Sequence, residues 1–96
     1  MSKAAWTKVA RADFERIDDN YRKVAPDFAE RLGRAALAAA RFLAEHPRIG
    51  SPLGEHVRKW TITGYHFVLV YRAIDEGVEI LRMYNSQENW QRDWLD

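Results

Sequence analysis

Residues 65–85 read YHFVLVYRAIDEGVEILRMYN, two strongly apolar runs joined by Asp75-Glu76-Gly77. β-Branched and aromatic residues fill both runs, which predicts strands, and a glycine free to take a positive φ predicts a tight hairpin between them. Upstream the period is again two. Arg58, Trp60 and Ile62 alternate with Val57, Lys59, Thr61 and Thr63, and Gly64 supplies a turn into YHFVLVYR. Residues 57–85 therefore predict an antiparallel meander of three strands.

The residues before the meander have a different period. From Val9 to Val24, the residues Phe14, Ile17, Tyr21 and Val24 recur at helical spacing, with Arg11, Asp13, Glu15, Arg16, Asp18, Asp19 and Arg22 expected on a solvated opposite face. Thr7 suits the N-cap, and AAWT around it suits an edge strand. Ala25-Pro26 ends this helix and starts another, with Asp27 and Glu30 in the turn where the helix dipole favours negative charge. Phe28, Leu32, Ala35, Ala36, Ala39, Phe42 and Leu43 form its apolar stripe, and it is expected to stop before His46-Pro47. At about 1.5 Å per residue the second helix is about 30 Å long. The small side chains of RAALAAAR let a neighbouring helix approach closely, so the two helices are expected to form an antiparallel hairpin. HPRIGSPLGEH, with two prolines and two glycines, reads as an ordered loop. Residues Gln87 to Leu95 either form a last short helix or pack Trp90 and Trp94 against the sheet.

Composition narrows the function classes. A chain of 96 residues, 47% apolar and 12% aromatic, suits one hydrophobic core and a single domain over residues 1–96. Fifteen basic residues against fourteen acidic ones leave a net charge of +1, which makes no global field for nucleic acid or an anionic membrane. The absence of cysteine excludes disulfides and thiolate metal sites, and is compatible with the cytoplasm. MSKAAWTKVARADF contains no continuous apolar segment of a secretion signal, and no window approaches the roughly 20 apolar residues of a membrane span. His46, His56 and His66 have no metal-ligand spacing, so no metal or cofactor is expected. Neither a phosphate-binding glycine loop nor a nucleophile paired with histidine is present.

The fold class that follows is α+β: an N-terminal strand, an antiparallel two-helix hairpin packed on an antiparallel sheet, and a short C-terminal helix or tail. Face assignment follows from parity. His66, Val68, Val70 and Arg72 share one face of their strand; in the next, Val78, Ile80, Arg82 and Tyr84 share a face, opposite Leu81 and Met83. If Asp75-Glu76-Gly77 is a three-residue turn that sets Ile74 opposite Val78, Arg72 and Arg82 fall on the same, partly apolar face. Such a face suggests a surface covered by a partner. The turn at Gly64 leaves the faces of Arg58 and Lys59 open. RMYNSQENW, residues 82–90, then reads as a catalytic centre, the remains of one, or a contact surface.

Several motifs carry a family resemblance over nearly the whole chain. They are the opening WT before an amphipathic helix, the Tyr21 to Pro26 junction, HPRIGSPLGEHVRKW, the strand YHFVLVYR and the ending ILRMYNSQENW. Together they resemble the ParE branch of the ParE/RelE superfamily of toxins from bacterial toxin–antitoxin pairs. The resemblance implies the same order of strand, helix hairpin and antiparallel sheet. It also implies one of two activities, because RelE-like members cut messenger RNA on the ribosome whereas ParE-like members inhibit DNA gyrase.

RNA cleavage by a 2′ hydroxyl needs a base, an acid and cationic groups around the phosphate. RelE-like nucleases resemble one another in supplying lysines before the central strand, an arginine within it, and a basic or histidine-containing end to the last strand. Here Lys59 suits the first lysine, but Thr61, Val68, Asn85 and Gln87 stand at the other positions. Amides have no side-chain proton to exchange at neutral pH, so the resemblance favours ParE-like binding of gyrase, without catalytic residues. Arg58, Lys59, Arg72, Arg82, Tyr84 and Trp90 are the expected contacts with target or antitoxin. The implied partners are a cognate antitoxin, ParD-like or similar, and DNA gyrase; membranes and sequence-specific nucleic acid are not expected partners of the toxin alone. Two alternatives remain: a ribosome-dependent endonuclease built on Lys59, Arg72, Arg82 and Tyr84, and a non-toxic binding subunit.

Overall fold

The computed structural model describes residues 2–94. Strand β1 (Lys3–Trp6) leads into helices α1 (Lys8–Val24) and α2 (Pro26–Glu45), followed by β2 (Ser51–Pro52), β3 (Arg58–Ile62), β4 (Phe67–Ile74), β5 (Gly77–Asn85) and a 3-10 turn (Trp90–Asp93). The sheet has the order β1-β5-β4-β3-β2. β3, β4 and β5 form the expected antiparallel meander, whereas β1 joins β5 in parallel and makes the sheet mixed. The 3-10 turn falls in the expected C-terminal region, of which Leu95 lies outside the described residues.

Local chemistry accounts for the helix ends. Thr7 caps α1, its hydroxyl accepting from the Ala10 amide at 3.0 Å. Ala25 is at once the C-cap of α1 and the N-cap of α2, and Pro26 occupies the first helical position, where a missing N–H costs nothing. Ala29, Ala36, Ala40 and Ala44 are buried with Leu32 and Leu43, so the alanine run does allow a close approach. A core of Ile17, Leu32, Leu43, Leu69, Tyr71, Val78, Ile80 and Met83 fills the space between hairpin and sheet. Complete burial of each large aliphatic side chain there contributes about 1.5–3 kcal/mol. Tyr21, Phe28, Tyr65 and Phe67 close one end of this layer with ring centroids 4.8–6.1 Å apart.

Three expectations need correction. The inner stripe of α1 is centred on Ala10, Asp13 and Ile17, with Phe14 and Tyr21 half-buried and Val24 80% exposed. Asp13, expected on the solvated face, is only 2% exposed. The turn between β4 and β5 has two residues, because Gly77 enters the ladder opposite Ile74 and Ala73 pairs with Val78. Gly77 does so at φ +147°, and a Cβ there would overlap the Lys3 carbonyl.

A β-bulge supplies the third correction. Val70 pairs with Arg82 and Tyr71 with Ile80, which leaves Leu81 as the extra residue on β5. Parity therefore switches: Val78, Ile80 and Met83 face the helices, while Arg82 and Tyr84 belong to the other side with Val68 and Val70. Arg72 and Arg82 still share a face, because the shorter turn and the bulge shift parity in compensating ways.

Candidate functional site

β1 ends at Trp6, so beyond Ile80 the outer edge of β5 has no strand beside it. The start of α1 takes over its hydrogen bonding. The Thr7 amide donates to the Ile80 carbonyl at 3.1 Å, and the Thr7 hydroxyl donates to the carbonyl of the bulged Leu81 at 3.2 Å. Nearly two turns further on, Asp13 Oδ2 accepts from the Met83 amide at 3.0 Å. Arg82 closes around the edge onto the same carboxylate, its Nε 2.7 Å from Oδ2 and its Nη2 3.1 Å from Oδ1. Arg16 adds a longer contact of 3.3 Å. Burial alone pushes the Asp13 carboxyl up, but the Arg82 hydrogen bond, the Met83 amide and the charges of Arg82 and Arg16 together hold it below the usual carboxylate range.

On the face away from the helices, the chain's own C-terminal segment covers most of the apolar surface. Trp90 is 5% exposed and stacks on Tyr84, ring centroids 5.3 Å apart and planes within 17°. Trp94 Nε1 donates to the Tyr84 hydroxyl at 3.1 Å. Beneath them Val68 and Val70 are buried, with Leu53, Val57 and Leu81 packed alongside. Lys59 Nζ lies 5.7 Å from the Trp90 ring, and the Arg82 guanidinium 4.8 Å from the Tyr84 ring, both within cation–π range. RMYNSQENW is thus a strand end turned back on its own sheet. Asn85 ends β5 by accepting from the Gln87 amide at 2.9 Å, and the Ser86 amide donates to the His66 carbonyl at 2.8 Å.

The six residues singled out in the sequence are therefore not one cluster. Lys59, Arg82, Tyr84 and Trp90 adjoin on this face. Arg72 shares it but lies toward the β4–β5 turn, half-exposed and ion-paired with Glu79 at 2.7 Å. Arg58, whose face was open, belongs to the helix side with Trp60 and Ile62, opposite Lys59. Its Nη1 donates to the Gly50 carbonyl at 2.7 Å.

That bond belongs to a second constellation. The buried Tyr71 hydroxyl donates to the Pro47 carbonyl at 2.8 Å and accepts from the Gly50 amide at 2.9 Å. Burial pushes the Tyr71 phenol up, although the Gly50 hydrogen bond and the Arg58 charge oppose this. A Cβ at Gly50 would lie 2.5 Å from the Tyr71 hydroxyl and 2.6 Å from the Lys59 carbonyl, so only glycine fits. HPxxGxP, the following arginine and the tyrosine of VYR meet here as one lock between loop and sheet. Sequence reasoning missed Asp13 and Tyr71 as organising groups. Ala10, Asp13 and Ile17 at spacings of three and four were the available signal, since an acid on an apolar stripe requires a partner.

Among the described residues no group of three or more His, Asp or Glu side chains could hold a metal ion. Nor is any helix there long and apolar enough to cross a membrane.

The comparisons with known proteins agree with this architecture. A family model described as the ParE toxin of the type II toxin–antitoxin system, parDE, matches residues 4–90. A solved structure described as the chromosomal ParDE TA system from P. aeruginosa is similar with a TM-score of 0.76 and 23% identity, over 91% of this chain and 98% of that one. It has the same fold of helix hairpin on sheet. No curated protein sequence matches.

Proposed function

Because the chain belongs to the family of ParE toxins of type II toxin–antitoxin systems, we propose that it acts by binding DNA gyrase directly and that a cognate antitoxin neutralises it. Its place of action is then the cytoplasm, where gyrase meets DNA. The observation that carries this reading is the commitment of the groups left on the distal face. Arg82 is held by Asp13, and Tyr84 lies under Trp90 with its hydroxyl bonded to Trp94. Thr61, Val68, Asn85 and Gln87 add no acid, base or cation there. A surface of this kind offers shape and charge to a partner in place of proton transfer.

Lys59 and Arg72 are the accessible cations of the proposed contact face, with the buried Tyr84 and Trp90 and the half-buried Arg82 bracing it from beneath and Arg58 acting from the opposite side. The antitoxin half of such a pair is expected to wrap an extended or helical segment over exposed apolar surface and to co-purify as a hetero-oligomer. The experiment is gyrase supercoiling of relaxed plasmid against increasing toxin, with and without co-expressed antitoxin. Inhibition reversed by the antitoxin is the expected result. No inhibition at toxin well above the enzyme concentration overturns the reading, and codon-positioned cleavage of ribosome-bound message would replace it with the nuclease.

A further inference from the structure

On the helix side of the sheet, away from Lys59 and Tyr84, the loop after α2 and the residues before β3 enclose a cleft of about 390 Å³. Arg48, His56 and Arg58 line it together with Pro52 and Val57, and Glu55 is the one acidic side chain among them. Its volume lies within the range of small-ligand sites, about 300–1,000 Å³. Among the described residues neither Arg48 nor Arg58 is paired with a carboxylate. Arg58 is half-buried, and its charge rests on the Gly50 carbonyl alone. Gly50 is itself pinned by Tyr71, so the guanidinium is held in place before anything binds.

The geometry points to a binding site for an acidic side chain carried on an apolar segment of a protein partner. Two arginines without counter-charges supply the charge complementarity, and a planar guanidinium fork suits a carboxylate. Apolar surface adjoins the two arginines. Pro52 and Val57 line the cleft, and Arg48 and Ala73 carry it into an adjoining hollow beside Ile49, which is 48% exposed. A nucleic-acid strand fits this less well, because no Phe, Tyr or Trp ring lines the cleft, His56 is the one ring there to stack a base, and the net charge of the chain is only +1. Glu55 limits the ligand to one acid in the cleft, since a second would meet a like charge. The cleft contains none of Lys59, Arg72, Tyr84 and Trp90, and although it shares Arg58 with the proposed gyrase contact its occupation does not depend on that reading.

The test is an NMR titration of the 15N-labelled full-length chain, with no gyrase present, using the capped peptide acetyl-Leu-Glu-Leu-amide. The expected result is saturable shifts at Gly50, Gly54, Arg58 and Ala73, with the Tyr84 and Trp90 amides unmoved. The glutamine counterpart should bind about fivefold more weakly, and Arg48→Glu should weaken the glutamate peptide about tenfold. Arg58→Lys keeps the charge and loses the fork, and should weaken binding about threefold. Arg48 is exposed and makes no bond that the fold needs, so its substitution reads binding and not stability. Equal binding of the two peptides, absence of saturable shifts, or shifts confined to the distal face overturn the inference. Tighter binding of oligothymidylate or inorganic phosphate than of the glutamate peptide also overturns it, in favour of a phosphate site.

Discussion

Asp13 and Arg82, 69 residues apart, form a two-pronged ion pair in which the carboxylate also accepts the Met83 amide. The pair stands where β1 has run out and β5 continues. A helix side chain thereby performs the capping that a neighbouring strand would otherwise provide, and the bulge at Leu81 presents Arg82 and Met83 together to one carboxylate.

Removing the acid takes both carboxylate hydrogen bonds from a half-buried guanidinium and leaves the Met83 amide without its acceptor. Asp13→Ala is expected to destabilise the fold by about 2–4 kcal/mol, below the largest values for buried pairs because the Arg82 side chain is 32% exposed. Urea unfolding followed by tryptophan fluorescence measures this, and a loss under about 0.5 kcal/mol would assign the pair a negligible role.

The same pair sets an acid limit. The folded Asp13 carboxyl titrates below its unfolded value of about 3.9, so its stabilisation is complete above that value and is lost as pH falls through the lower folded value. Wild type minus Asp13→Asn stability should therefore shrink as pH drops below about 4 and stay level between about 5 and 7. Unfolding curves collected across that range give the comparison, and a gap that widens toward acid would contradict the assignment.

Tyr71→Phe deletes one donor and one acceptor at a buried site. The Gly50 amide and the Pro47 carbonyl both lose their partner, at an expected cost of about 1–3 kcal/mol. Hydrogen exchange should show the Gly50 amide losing protection before the β4–β5 ladder does. Uniform loss across the sheet would instead mean that the loop opens only when the whole domain unfolds.

Gly77→Ala tests how β1 is held. The positive φ disfavours a side chain, and the new methyl would meet the Lys3 backbone, so about 2–4 kcal/mol is expected. The Lys3 amide, which donates to the Glu76 carbonyl at 2.7 Å, should lose exchange protection first.

Arginines on one face should differ in what they do. Arg72→Glu replaces a solvent-facing pair by two opposed carboxylates and should lower stability by no more than about 1 kcal/mol while weakening gyrase inhibition. Arg82→Ala should lower stability as well as activity, because Arg82 holds Asp13. Thermal unfolding and supercoiling assays on both variants separate the contact residue from the brace, and unaltered inhibition by Arg72→Glu would remove Arg72 from the contact face.

Much of this protein was legible in residue order, because strand and helix periods are local. The alternation in residues 57–85, the apolar stripe of α2 and the break at Ala25-Pro26 each predicted an element that the structure contains. The motifs HPxxGxP and VYR pointed to the family, although nothing in their spacing told that Pro47, Gly50, Arg58 and Tyr71 would share a hydrogen-bonded lock. Which side of the sheet a residue occupies was decided only in three dimensions. One extra residue in a ladder reverses parity, and the carbonyl of the bulged Leu81 is met by the hydroxyl of Thr7, a helix cap 74 residues earlier. The burial of Asp13 was likewise a tertiary outcome: a carboxylate goes inside only where a distant arginine and an orphaned amide converge on it, and local sequence cannot specify that convergence.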